Sequence, residues 1–391
     1  MTIKKLLVAN RSEIAIRVMR ATTELGIATV AIYAEEDKLA LHRFKADESY
    51  LVGQGLGPIK AYLSVEEVLR VARESGADAI HPGYGFLSEN PDFAEACASA
   101  GLIFVGPPPA VMRALGNKVS ARNLALEAEV PVMPATGPLP GDNAGIARQA
   151  EAIGYPVMLK ASWGGGGRGM RIISGAGQLR EQVEAGRREA EATFGNGEVY
   201  LEKLVKRARH VEVQILGDTH GNLVHLFERD CTVQRRNQKV IEWAPSPYLD
   251  AEQRAALCAS ALRLGRHAGY VNAGTVEYLM DCDTGCFYFI EVNPRIQVEH
   301  TVSEEVTGID IVKAQILIAQ GARLGDTASS GVPGQDEIRL NGHALQCRIT
   351  TEGTVRVKFW AFFNRLMVAG IRRFSARFVD RLESHFQPNR R

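Results

Sequence analysis

The sequence has little sulfur, no long apolar run and almost no net charge. Its 391 residues include six scattered cysteines (Cys97, Cys231, Cys258, Cys282, Cys286, Cys347), of which only Cys282 and Cys286 lie close together. The Asp283-Thr284-Gly285 between them reads as a turn flanked by two free thiols, because a structural metal site would need two further ligands. Cysteines this dispersed point to a reducing compartment. The apolar run in "MTIKKLLVANRSEIAIRV" stops at Asn10-Arg11, too early for a signal peptide or a membrane span, so the expectation is a cytoplasmic protein without membrane attachment. Lysine plus arginine (46) nearly cancel aspartate plus glutamate (45), which gives no hint of nucleic acid or a membrane surface as partner. That balance hides an asymmetry. Residues 353–391 carry nine basic and two acidic side chains, net +7, while the first 352 residues carry net −6.

What is present is a chain with 46% hydrophobic residues, long enough for two or three domains with real cores. The first hundred residues alternate short apolar runs ("KLLVAN", "TVAIYAE", "ADAIHPG", "LIFVGP") with amphipathic stretches ("IAIRVMRATTELG", "SVEEVLRVARESG", "FAEACASAG"). Strands separated by helices that glycine closes predict right-handed crossovers onto a parallel sheet, a Rossmann-like α/β layer. A dinucleotide-binding chain of that layout carries a glycine fingerprint after its first strand, where this one reads Asn10-Arg11-Ser12-Glu13. The pattern predicts a helix over about 114–128, then a proline-rich connector, "VPVMPATGPLPGD", into a second unit. Helices are also predicted near 177–193 and 251–268, and hairpins in "RHVEVQILGDTHGNLVHLFERD" and "GTVEYLMDCDTGCFYFIEVNPRIQVEH".

The second hairpin carries chemistry. With its turn centred on Thr284, Glu277 and Glu291 stand opposite each other on one face, and like charges across a ladder need neutralising. A divalent cation such as Mg²⁺, or water on an exposed face, would do so. The continuation favours a site: Glu291, Asn293, Arg295, Gln297 and Glu299 alternate with Val292, Pro294, Ile296, Val298 and His300, which puts five polar groups on one side of an extended segment. The other feature is "KASWGGGGRGMRI", residues 160–172. It lacks the lysine and hydroxyl of a Walker phosphate loop, yet bare glycines offer backbone N–H groups to phosphate and are equally the tip of a flexible hairpin. Lys160 and Lys118 are cations of the kind that hold phosphates, although lone lysines are usually solvated.

Together, "LVANRSEIAIRV", "HPGYGFLSEN", "GNKVSAR", "MLKASWGGGGRGMR", "YLEKLV", "RHVEVQILGD", "ERDCTVQRRNQK", "GTVEYL" and "FIEVNPRIQVEHTV" resemble the biotin carboxylase family of the ATP-grasp fold, over residues 3–352. Arg11-Ser12-Glu13, "ADESYLVG", "LGPIKAYLS" and Trp163 look most like the biotin carboxylase part of pyruvate carboxylases. The resemblance implies a Rossmann-like domain at 1–113, an ATP-grasp domain at 114–329 with a glycine-rich lid at about 133–204, and the start of a C-terminal biotin carboxylase domain at 330–352. It implies that ATP phosphorylates bicarbonate to carboxyphosphate and that biotin, free or on a carrier domain, is then carboxylated. By the same resemblance, Lys118, Lys160, Gly164, Gly165, Gly166 and Gly167 hold the phosphates. Glu202, Lys203, Leu204, His210, Gln234 and Asn237 surround the nucleotide; Asn237 stands where many relatives have histidine. Glu277, Glu291 and Asn293 carry Mg²⁺ or Mn²⁺. Lys239, Arg295, Gln297 and Val298 position bicarbonate, Glu299 deprotonates it, and Arg348 stabilises the biotin enolate. Cys231, next to this stretch, reads as a packed thiol. The family's partners are biotin carrier and carboxyltransferase domains and a second copy of the module.

After Thr350-Thr351-Glu352 the resemblance ends. The family continues with Asp-Pro and about a hundred further residues of sheet and helix, whereas residues 353–391 are rich in arginine and phenylalanine. The simplest expectation is a frame change or truncation, with a basic amphipathic helix for a membrane or acidic partner as the alternative. A rival reading of the body is an ATP-grasp ligase of the carbamoyl phosphate synthetase type, and a non-catalytic nucleotide-binding fragment is a third.

Overall fold

A computed structural model describes residues 2–162, 170–194, 196–235 and 238–349. The four glycines 164–167, Asn237, the side chain of Lys118 and the tail 353–391 lie outside the described residues. The described chain forms two compact units. One takes Met1–Val130, Arg209–Leu279 and the residues from Glu291 onward, and the other takes Pro131–Ala208 and Met280–Ile290.

The first unit begins with the expected alternation: β1 (Lys5–Val8), α1 (Ser12–Glu24), β2 (Ala28–Tyr33), β3 (Glu48–Leu51), α2 (Val65–Ser75), β4 (Ala79–His81), α3 (Pro91–Ser99) and β5 (Ile103–Phe104). The strands make a parallel sheet in the order β3-β2-β1-β4-β5. Both faces are covered, and period-two alternation explains how. Leu6, Val8, Ala31 and Ala79 pack with α1, while Leu7, Val30, Ile32 and Ile80 pack with α2 and α3. Local signals place the helix ends: Ser64 accepts from the Glu67 N–H ahead of α2, left-handed Gly76 ends it, and Asn90 followed by Pro91 opens α3. Strand β3, within "ADESYLVG", carries no alternation that would single it out; all four of its residues are half-buried.

The helix expected over 114–128 is two helices, α4 (Pro109–Gly116) and α5 (Lys118–Glu127). Asn117 is extended, and its side chain accepts from the Ser120 N–H at 3.0 Å, so the residue that breaks one helix caps the next.

The second unit contains α6 (Asn143–Ile153), β6 (Val157–Ala161), β7 (Arg171–Ile173), α7 (Ala176–Phe194) and β8 (Val199–Lys203). Its three strands pair antiparallel in the order β7-β6-β8. Leu159, Ile173, Val183 and Leu201 form its core with Ile146 and Ala150 of α6.

Further along, the described residues build a six-stranded sheet from β9 (Ala208–Gly217), β10 (Leu223–Arg235), β11 (Gln238–Ala244), β12 (Asn272–Asp281), β13 (Phe287–Asn293) and β14 (Ala344–Cys347), in the order β13-β12-β9-β10-β11-β14. Strands β9 and β10 form the first expected hairpin, joined at Gly217–Leu223. Between β11 and β12 runs α8 (Ala251–His267), whose Asp250 and Gln253 make a reciprocal cap. After β13 come α9 (His300–Thr307) and α10 (Ile311–Ala319), the latter capped by Asp310 and packed on α1.

The extended segment expected from Glu291 to Glu299 ends at Asn293. Pro294 has no N–H to continue a ladder, and residues 294–299 turn into the N-terminus of α9. Among the described residues, no helix is long and apolar enough to cross a membrane.

Candidate active site

Four strands and the turn before α9 bring charged side chains into the interior of the first unit. Lys239 enters from β11, Glu212 and His210 from β9, Arg229 from β10, and Glu277 from β12. Glu212, Glu277 and Glu299 are 0%, 5% and 2% exposed, so none can rely on water to carry its charge.

They rely on cations instead. Lys239 Nζ donates to Glu277 Oε1 (2.8 Å), to Glu299 Oε1 (2.7 Å) and to Glu212 Oε2. Arg229, wholly buried, donates from Nε to Glu212 Oε1 (2.6 Å), from Nη1 to Gln214 and Ser303, and from Nη2 to Thr275 and Gln297. Each of its five N–H groups has a partner, the condition under which a buried guanidinium is tolerated. Arg348, at the end of β14, donates from Nη2 to Glu299 Oε2 (2.6 Å) and from Nε to Glu242 Oε1 (2.8 Å).

The titration of these groups follows from that geometry. Burial pushes the Glu299 carboxyl up, but Lys239, Arg229 and Arg348 outweigh it and hold it below its ordinary range. Burial likewise opposes ionisation of Glu277, and His210 with Lys239 reverses the sign and holds it well below. Lys239 is raised despite burial because Glu212, Glu277 and Glu299 surround it. Cys231 lies in the same region, and burial lifts its thiol well above the usual range, which fits the packed-thiol expectation.

Around this centre, Gln297 is buried and donates to Glu277 Oε1 at 3.1 Å. Asn293 donates to the same oxygen at 2.8 Å. His210 Nε2 lies 2.8 Å from Glu277 Oε2, and Gln234 Nε2 meets its other ring nitrogen at 3.1 Å. Thus Lys239, Glu277, Asn293, Gln297, Glu299, Arg348, His210 and Gln234 form one connected network. Arg295 joins it only at the margin: its guanidinium goes to Glu89 (2.6 Å), Asn293 Oδ1 (3.0 Å) and the Ile296 carbonyl (3.1 Å). Val298 is half-buried in the turn, and Glu291 half-buried on β13.

Charge on Glu277 meets Lys239 from β11 and His210 from β9. The oxygen donors of Glu277, Glu291 and Asn293 still suit a hard cation such as Mg²⁺, and the His210–Glu212–Glu277 group brings its ligand atoms within 4.8 Å of one another. A cation held there would share Glu277 with Lys239, His210, Asn293 and Gln297.

The remaining expected residues belong to the second unit. Lys160 on β6 pairs with Glu202 on β8. Lys203 Nζ donates to the Gly154 carbonyl (2.8 Å), and the Leu204 N–H to that of Pro156 (3.2 Å).

Sequence reasoning missed Glu212, Arg229 and Glu242. Glu212 and Glu242 had a signal, a charge between apolar strand neighbours ("HVEVQ", "VIEWA"), but charges in alternating strands ordinarily face solvent; Arg229, between Glu228 and Asp230, had none of that kind.

Comparison with known proteins sharpens this picture. Residues 2–112 match the family model described as biotin carboxylase, N-terminal domain, and residues 117–327 match carbamoyl-phosphate synthase L chain, ATP binding domain. The chain is 55% identical over 349 residues to pyruvate carboxylase 1 of Caenorhabditis elegans, a match that covers 89% of this chain and 29% of that protein. Its structure superimposes on Rhizobium etli pyruvate carboxylase, solved with the allosteric activator acetyl coenzyme A, with a TM-score of 0.79 and 69% identity over 90% of this chain and 31% of that one. It also superimposes on the biotin carboxylase domain dimer of Hydrogenobacter thermophilus 2-oxoglutarate carboxylase, solved with MgADP, ADP and bicarbonate, with a TM-score of 0.78 and 47% identity over 90% of this chain and 76% of that one. The chain therefore spans about three tenths of the length of the pyruvate carboxylases it matches.

Proposed function

Because the chain belongs to the biotin carboxylase family, we propose that it catalyses the ATP-dependent carboxylation of biotin with bicarbonate, as the biotin carboxylase part of a pyruvate carboxylase. The observation that carries this reading is the buried trio Lys239–Glu299–Arg348, in which one carboxylate takes a cation on each oxygen. A carboxylate held ionised without water is free to accept a proton from a small anion such as bicarbonate, and Lys239 next to it offers the positive charge that holds the anion. Gln297, next to Lys239, and Val298 and Arg295 on the same turn are assigned to position the anion.

After the proton moves to Glu299, a bicarbonate oxygen takes the γ-phosphoryl group of ATP and ADP leaves; the resulting carboxyphosphate breaks down to phosphate and CO₂, which the ureido nitrogen of biotin takes up with loss of its proton. Lys118 and Lys160 are assigned to the phosphates, the glycines 164–167 to the flap over them, and Glu202, Lys203, Leu204, His210, Gln234 and Asn237 to the nucleotide. Glu277, Glu291 and Asn293 would hold Mg²⁺, which supplies charge to the phosphoryl oxygens. Arg348 faces the enolate oxygen that develops on the ureido group of biotin. Pyruvate as final acceptor and homodimerisation belong to the same proposal, supported by the name of one relative and the dimeric assembly of another, as do carrier and carboxyltransferase domains as partners and a cytoplasmic location, which rest on the sequence.

Phosphate release from ATP tests it. Bicarbonate-dependent release should rise on adding free biotin, and Glu299→Gln should lower it by about 10²–10⁴-fold while ATP binding persists. Stimulation by ammonia and not by biotin would move the assignment to the carbamoyl phosphate type. ATP binding without any bicarbonate-dependent turnover would leave a nucleotide-binding fragment.

A further inference from the structure

Glu242 sits where a carboxylate is costly unless it is used. It lies on β11 opposite Gln346 of β14, and none of its surface reaches solvent. Its Oε1 accepts from Arg348 Nε at 2.8 Å, while Oε2 has no hydrogen-bond partner among the described residues. A buried acceptor left half-satisfied is tolerated where the other half of the group does something a neutral residue would not.

That something is visible in the guanidinium it holds. Arg348 puts Nε on Glu242 and Nη2 on Glu299, so one edge of the planar fork spans carboxylates from two separate elements, and no partner holds Nη1 among the described residues. Two anchor points on a rigid plane leave one orientation. The framework behind it is tied as well, because Thr301 of α9 donates to Gln346, the residue across the ladder from Glu242. Burial lifts the Glu242 carboxyl to about 7 although Arg348 pulls it down, and Glu299 and Glu212 add to the rise. Its charge is therefore sensitive to where Arg348 lies.

We propose that Glu242 is a positioning residue, which holds Arg348 by Nε so that Nη2 meets Glu299 and Nη1 is presented to the ureido oxygen of biotin. The proposal rests on the biotin carboxylase reading given above. It adds a residue that touches neither substrate.

The test uses the full chain and two variants. Glu242→Gln keeps an acceptor for Nε, whereas Glu242→Leu removes it. In the Leu variant, KM for free biotin should rise about tenfold or more with KM for ATP within about twofold, and the Gln variant should recover most of the loss. Equal changes in both KM values, or none for biotin, would overturn the proposal in favour of a merely structural role. If the Leu variant does not fold, Glu242→Asp decides: its shorter side chain draws the acceptor away from Nε, so KM for biotin should rise with KM for ATP within about twofold, and an unchanged KM for biotin overturns the proposal. A crystal structure of either variant separates this inference from the functional reading. With Leu, Arg348 should leave Glu299 even if the unsubstituted chain shows no biotin-dependent turnover, and an unmoved Arg348 counts against Glu242 alone.

Discussion

In the first unit Lys239 is shared by three carboxylates that water hardly reaches, whereas in the second Lys160 meets a single glutamate, Glu202, with 28% and 21% of the two side chains exposed. The first arrangement has no solvent to fall back on. Its charges are tolerated because each carboxylate has a cation and the buried guanidinium has all its donors used, so removing one member leaves the others uncompensated. The second pair is wet, and its lysine can exchange a glutamate for an incoming anion at little cost. Charge that is fully paired is buried in a continuous sheet, and the charge proposed to meet phosphate is left partly exposed.

The largest way to break this contrast is Lys239→Met. With Glu212, Glu277 and Glu299 deprived of their common cation, unfolding free energy measured by denaturant titration should fall by about 3–5 kcal/mol. A loss comparable to that of a surface pair would mean the network is wetter than its burial indicates.

Next comes acid. His81 and His300 are buried in the first unit, and desolvation lowers both to about 4 from the ordinary 6.5. Both are therefore neutral when folded and protonate more readily when unfolded. Their contribution to stability is complete above pH 6.5 and is lost as pH falls toward 4, up to about 3 kcal/mol for each. Glu242 has the opposite sign: its raised carboxyl favours the folded state below the ordinary carboxylate range, an advantage lost as pH rises through 7. Stability measured from pH 4 to 8 should climb steeply at first, and His300→Gln should make that climb shallower.

The smallest stability effect belongs to Lys160→Met, expected to cost no more than about 1 kcal/mol. Its functional effect should be larger, with KM for ATP up about tenfold, the cost of one charge-assisted phosphate contact. If stability and ATP binding moved together, the distinction between fixed and exchangeable charge would fail for this lysine.

Much of the architecture was legible without coordinates. The alternation of short apolar runs with amphipathic stretches predicted the parallel layer, and Gly/Asp/Asn turns predicted both hairpins, because these patterns are local in sequence. Glu277, Gln297 and Glu299 were also legible as members of one polar site. The route by which they meet was not. A period-two reading carried the strand on to Glu299, but Pro294 ends it, and a turn delivers Gln297 and Glu299 to Lys239. The helix expected over 114–128 failed for the same kind of reason, a single residue, Asn117, whose cap outweighs the periodicity on either side.

By itself, then, the sequence determined the N-terminal alternation, the two hairpins, the helices near 177–193 and 251–268, and the family, because periodicity, turn residues and motif spacing act over a few residues. Only the tertiary structure decided which charges share which partners. Glu212, Arg229 and Glu242 look like ordinary strand charges until β9, β10 and β11 close around them, and Arg348 acquires its two anchors only when β14 docks on β11 and α9 presents Glu299. Desolvation is a property of the assembled surroundings, and it is desolvation that turns these side chains from surface decoration into a site.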